Sequence, residues 1–271
     1  MIFFGVVFAT VSCGRTEVDR PAPELVEWTF TAPASKASLA ANGAFSWSKD
    51  DAIAVWNSTS GSFVKFTSLT GNSIFTATAP DNAHFQGTAY FPYESVSGTE
   101  TFTFPASYNA GDYNPYSGII AMYSSVEEDS NVLHFKHQCA YLTCQIPDIP
   151  ASVTKIVVSG IDVSLSGDFT PVDNAGVKEI RSANGDGAVT VNYALENKQY
   201  MLTFTIPVPI GRYAISYTAY EGEDVFSSKS TDPINFTRAH LYKLYDPSIY
   251  NRFGMVGYEE FDLTDDSDNW N

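Results

Sequence analysis

The feature that most constrains this chain is its punctuation. Short runs of alternating apolar and polar side chains recur between clusters of Gly, Asn, Asp and Pro, and no stretch of any length carries a helical period. Side chains alternate faces along a strand, so each run fits a half-buried strand and each cluster a turn. Read in order, the runs are Leu25 to Ala32, Phe63 to Thr67, Ser73 to Ala79, Thr88 to Tyr93, Thr101 to Phe104, Leu133 to Ile146, Thr154 to Gly160, Ile161 to Phe169, Ala188 to Tyr193, Gln199 to Val208, Arg212 to Tyr220 and Ile234 to Tyr245. Within Leu25 to Ala32, Trp28 and Phe30 share a face. Between the first two runs lies Phe45 to Trp56, FSWSKDDAIAVW, which predicts a hairpin. Phe45 and Trp47 share a face of its first strand, Lys49, Asp50 and Asp51 turn the chain, and Ile53 and Val55 face away from Ala52, Ala54 and Trp56. A Trp opposite a β-branched pair seeds a core between stacked sheets. About seven strands fall in each half, the number of a small sandwich. The expectation is an all-β chain with two tandem β-sandwich domains, 25–131 and 132–246.

Composition agrees. Of 271 residues, 44% are hydrophobic and only 17% charged, enough to bury a core. The 16 Tyr and 19 Phe suit strands better than helices. A net charge of -16 repels nucleic acid and anionic lipid, which excludes both as expected partners. Ile2 to Val11 is an apolar run too short for a bilayer span of about 20 residues, and it fits the core of a secretory signal over 1–12. It runs into TVSCG, with a small residue directly before Cys13. That resembles a bacterial lipoprotein signal, in which Cys13 is lipidated and anchors the protein to the outer membrane. Two departures are visible: no Lys or Arg precedes the run, and Thr10 stands where such signals usually carry Leu. Residues 13–24 read as a polar tether, and 247–271 as a mobile or loosely docked acidic tail.

Few groups suggest chemistry. Cys139 and Cys144 have opposite parity on one run, which disfavours an intrastrand disulfide and leaves two small buried hydrophobes. His134 and His137 also differ in parity, so with Cys139 they form no tight metal set on one face. Asp50 and Asp51 read as turn residues rather than an acid–base pair. The acidic DDSDN near the end lacks the spacing, central Gly and closing Glu of a calcium loop. Asn184 to Gly187, NGDG, signals a turn through residues that accept positive φ. No nucleophile elbow, zinc helix or phosphate loop is present, so no enzyme and no cofactor is expected. The Ser107 to Ser117 loop carries Tyr108, Tyr113 and Tyr116, which either stack on a sugar or fold back onto the sandwich. The first alternative would make the protein a glycan-binding surface lipoprotein.

Taken in order, WTFTA, KASL, FSWSKDDAIAVW, AYFPY, LHFKHQCAYL, IVVSGIDVSLSG and INFTRAHLYKL resemble the fimbrillin (Mfa-like) lipoproteins of Gram-negative gut and oral anaerobes, from Trp28 to Leu244. The resemblance implies transthyretin-like sandwiches and a cell-surface role in type V pili (fimbriae), as a structural, adhesive, anchor or tip subunit. Its partners would be other pilus subunits and, on the host side, a protein or glycan. Such subunits polymerise by strand exchange after a trypsin-like protease trims the N-terminus. Leu25 to Ala32 then fits the removable strand and Lys36 the cleavage site. Ala239 stands where the family commonly has Gly, the linker has no Arg, and the tail is polar for a donor strand despite some alternation over Met255 to Leu263.

Overall fold

A computed structural model describes residues 22–33, 47–97, 101–109, 120–128, 130–147, 149–192, 201–245, 253–255 and 257–262. Most of the alternating runs become strand, and there is no α-helix among the described residues. The first strands are β1 (Leu25–Thr31), β2 (Ala52–Asn57), β3 (Ser62–Thr67), β4 (Ile74–Pro80), β5 (Phe85–Phe91), β6 (Val96–Ser97), β7 (Thr101–Phe104), β8 (Ser107–Asn109), β9 (Met122–Val126) and β10 (Lys136–His137). A 3₁₀ turn, Tyr93–Ser95, joins β5 to β6. Then come β11 (Ala140–Pro147), β12 (Lys155–Gly160), β13 (Gly167–Phe169), β14 (Val172–Asn174), β15 (Val177–Glu179), β16 (Val189–Asn192), β17 (Met201–Val208) and β18 (Gly211–Tyr213). The last are β19 (Ile215–Glu221), β20 (Asp224–Ser230), β21 (Ile234–Phe236), β22 (His240–Tyr245), β23 (Phe253–Met255) and β24 (Gly257–Asp262).

A seven-stranded antiparallel sheet has the order β1-β4-β3-β2-β5-β9-β10. A small sheet, β13-β7-β6, covers part of one face, with Phe102 against Tyr90 and Phe104 against Phe169. In the second half, sheets β17-β11-β22-β24 and β23-β20-β19-β12-β16-β8 enclose their own core. Strand β11 serves both cores through simple parity. Tyr141, with Cys139 just before the strand, enters the first, while Ala140, Leu142, Cys144 and Ile146 enter the second. The two halves also pair with each other, β8 along β16 and β13 along β7.

Several expectations change. Trp47 is buried but lies outside any strand; β2 pairs instead with β3 and β5. Phe45 lies outside the described residues. The turn is as expected: Asp50 has φ 70°, and the Asp51 carboxylate accepts the Ser48 N–H at 2.7 Å. Hydrogen bonds between Asp50, Asp51 and Ser68 join this turn to the end of β3, and that pairing starts the sheet. Gly71 closes the corner at φ 74°, where a Cβ would stand 2.8 Å from the Lys49 nitrogen. Trp47 fills the space beneath. Its Nε1–H donates to Ala32 O at 2.7 Å, and its ring meets Phe75, Phe91 and Phe135 edge-on.

The run from Leu133 to Ile146 is broken at Gln138 and Cys139, where the chain leaves one sheet for another. Ile161 to Phe169 is mostly turn, with Asp162 at φ 61°, and only Gly167–Phe169 is strand. Ile234 to Tyr245 breaks before Ala239, which has φ 61°; this explains why glycine suits that position. Gly185 and Gly187 in NGDG are not at positive φ. They let the chain press on its neighbour: a Cβ on Gly185 would strike Ser164 Oγ, and one on Gly187 would lie 2.5 Å from Ser166 O. The acidic tail is partly sheet, since β24 pairs with β22 along all six of its residues.

Candidate functional site: an edge strand over an aromatic groove

Among the described residues strand β1 ends the seven-stranded sheet, and its only full-length partner there is β4, from Leu25 opposite Pro80 to Thr31 opposite Ile74. An edge strand offers one row of backbone groups to a neighbour and presents the other outward. Alternation decides what it buries. Leu25, Glu27 and Thr29 are exposed, Val26 and Trp28 half-buried, and Phe30 only 4% exposed. Phe30 meets Phe66 and Phe85 edge-on at 5.1 and 5.8 Å, and Trp28 meets Phe85 at 5.1 Å. The strand therefore sits as a lid on a groove floored by aromatic rings.

Backbone bonds hold its ends. Asp81 N–H donates to Glu24 O, Thr31 N–H to Asn131 O and Ala32 N–H to Ser73 O, each at 2.7 Å, and Leu133 N–H donates to Thr31 O at 2.8 Å. Residue 33 is the last described before 47, so Lys36 lies outside the described residues, as do Cys13, Tyr113 and Tyr116. Tyr108, by contrast, packs against both cores rather than turning outward.

The remaining candidates are structural. Cys139 and Cys144 are free and buried, and burial pushes the Cys139 thiol up to about 12 and the Cys144 thiol higher still, so neither is a thiolate nucleophile. His137 is buried, with Nδ1 2.7 Å from the Tyr141 hydroxyl, while His134 is exposed. Burial, aided by nearby Arg238, lowers His137 to about 3, so it stays neutral. Burial likewise raises Asp51, and the Ser48 N–H only partly offsets this. Ser58, His84 and Glu128 lie in a row that resembles a triad. Ser58 Oγ stands 3.0 Å from His84 Nδ1, and His84 Nε2 3.3 Å from Glu128 Oε1. Ser58 Oγ lies equally close, 3.0 Å, to the His84 carbonyl oxygen, and the row is exposed, as in a surface hydrogen-bond network. Among the described residues no group of three or more His, Cys, Asp or Glu side chains could hold a metal ion.

Sequence reasoning missed two surfaces. One is β24, whose only cue was weak alternation in an acidic segment. The other is an aromatic hollow beside β3, made by residues that look like ordinary strand and turn positions.

No family model matches the chain, and no curated protein does. Solved structures do. A candidate cell-adhesion protein from Bacteroides ovatus superposes with a TM-score of 0.58 at 13% identity, covering 89% of this chain and 98% of that one. This chain shares its fold. A second, from Bacteroides uniformis, gives 0.50 at 13% identity over 88% and 98%. The tip fimbrial protein Mfa3 of Porphyromonas gingivalis, truncated at its C-terminus, gives 0.39 at 13% identity over 88% and 100%. The two Bacteroides structures thus share an all-β fold with this chain.

Proposed function

We propose that the protein is a fimbrillin-like subunit of the cell surface, structural, adhesive or accessory, with two sandwich domains and a lipid anchor at Cys13. In this reading it joins other pilus subunits by strand exchange and does no catalysis. The observation that carries it is the position of β1: an edge strand over an aromatic groove, five residues ahead of Lys36 and its backbone bonded to one strand along its length. Cleavage after Lys36 would leave β1 attached by non-covalent contacts alone. A strand from a second subunit then competes for the same row of β4 hydrogen bonds, the mode known as strand addition. The incoming strand must carry a large apolar residue at the place of Phe30, because the groove is otherwise opened to water. The neighbours named for adhesion and for a fimbrial tip support the same surface role.

The test is mass analysis of the protein taken from cells. The reading expects Cys13 as a lipidated N-terminus before assembly and a chain beginning at Ala37 afterwards. An unmodified Cys13 together with an intact Lys36–Ala37 bond in assembled material would reject it.

A further inference from the structure

We propose that the hollow between the β2–β3 hairpin and the Tyr93–Ser95 turn binds a neutral sugar residue of a glycan. The argument begins with the sheet. Even-numbered residues of β2 face away from β1's aromatic groove. Ala52 and Ala54 are buried there, and Tyr90, paired with Ala54, lies against Phe102 of the small covering sheet. Among the described residues that cover does not reach the far end of the hairpin. Trp56 and its pair partner Phe63, with rings 5.1 Å apart, remain half-buried. Tyr93, Glu94 and Val96 rise opposite them and Gly61 and Ser62 close the end, leaving a hollow of about 350 Å³. Ligand sites span ~300–1,000 Å³, so one or two sugar rings fit.

The chemistry of the wall selects the occupant. Trp56, Phe63 and Tyr93 supply aromatic surface, and the C–H face of a pyranose stacks on such surface where aliphatic peptide would need an enclosed groove. The rim supplies polar groups for hydroxyls: Glu94, the Ser62 hydroxyl, and Lys65, whose ammonium sits 2.6 Å from Glu94 Oε1 and 5.1 Å from the centre of the Tyr93 ring. Lys65 and Glu94 neutralise each other, and the whole chain carries -16, so uncharged sugars are favoured over sialylated or sulfated ones. The hollow lies on the opposite face of the sheet from Phe30 and its groove, so it functions whether or not β1 exchanges.

The test uses the mature chain on an array of neutral oligosaccharides ending in glucose, galactose, mannose or N-acetylglucosamine, beside sialylated and sulfated ones, with hits measured by titration calorimetry. We expect binding to neutral glycans, a loss of at least tenfold in Trp56→Ala and a loss of about fivefold in the exposed variant Glu94→Gln, which leaves the aromatic wall intact. Both variants are checked for an unchanged thermal midpoint. A blank array, retained binding in both variants, or a preference for acidic glycans overturns the proposal, as does capture of a peptide by the hollow that sugars do not displace.

Discussion

Replacing Phe30 by alanine asks whether β1 is held by its aromatic residue or by its backbone. The ring is 4% exposed and contacts Phe66 and Phe85 edge-on. Burial of such a side chain is worth ~1.5–3 kcal/mol, and each aromatic pair adds ~0.5–1.5 kcal/mol. Measured Phe→Ala changes in cores cost ~3–5 kcal/mol, which matches that sum. In a unit of 150–250 residues each kcal/mol moves the melting midpoint by ~2–4 °C, so Phe30→Ala lowers it by about 6–20 °C. Leu25 on the same strand is 65% exposed, and Leu25→Ala changes stability by no more than ~0.5 kcal/mol. The assay is thermal and urea unfolding of the three proteins, with hydrogen exchange on the β1 and β4 amides. The variant's β4 amides exchange faster than those of β9. A midpoint within about 2 °C of wild type, or equal effects of the two substitutions, refutes the claim that Phe30 seats the strand.

Other outcomes follow from the same contacts. Glu179 is buried, with Arg181 Nη2 2.7 Å and Arg238 Nε 3.6 Å from its carboxylate; both guanidinium groups keep solvent access, so Glu179→Ala loses charge-assisted hydrogen bonds and costs ~1.5–3 kcal/mol by urea unfolding. His137 has a folded value near 3 against ~6.5 unfolded, so its contribution is complete above pH 6.5 and lost as pH falls towards 3. Melting of wild type against His137→Gln between pH 7.5 and 4 shows this as a differential loss of about 3 kcal/mol. In a Cys13→Ser protein, Cys139 and Cys144 react with a thiol reagent only after denaturant is added, because burial keeps both protonated and covered. Ala239→Val destabilises strongly, since a β-branched residue at φ 61° is strained. Ala239→Gly stays within about 1 kcal/mol, as relief of left-handed strain offsets the lost methyl and the freer unfolded chain.

Much of the all-β fold was legible because alternation is a local signal. Leu25 to Ala32 became β1 with Trp28 and Phe30 turned inward, as parity requires. The errors lie where a local pattern cannot show which strand is its partner. Trp47 alternates with Phe45 as a strand residue would, yet the loop closed by Gly71 captures it in the core. Leu133 to Ile146 is continuous in hydropathy, but the bonds of Gln138 to Ala121 and Ile180 carry it from one sheet to the next. The glycines of NGDG look like turn formers and act as close contacts, a distinction that needs Ser164 and Ser166 in place. The β14–β15 hairpin and β24 expose apolar residues, Val172 and Tyr258, so their side-chain pattern does not announce the pairing that their backbones make. The edge position of β1 is likewise a property of the sheet and not of its seven residues.

The most direct measurement is native mass spectrometry of the protein after limited cleavage at Lys36, followed over time and compared with a Lys36→Gln control. If β1 is the exchangeable strand, the peptide ending at Lys36 departs and the remainder grows into multimers that survive mild heating, while the control stays monomeric. A cleaved protein that keeps its peptide and remains a monomer contradicts the account.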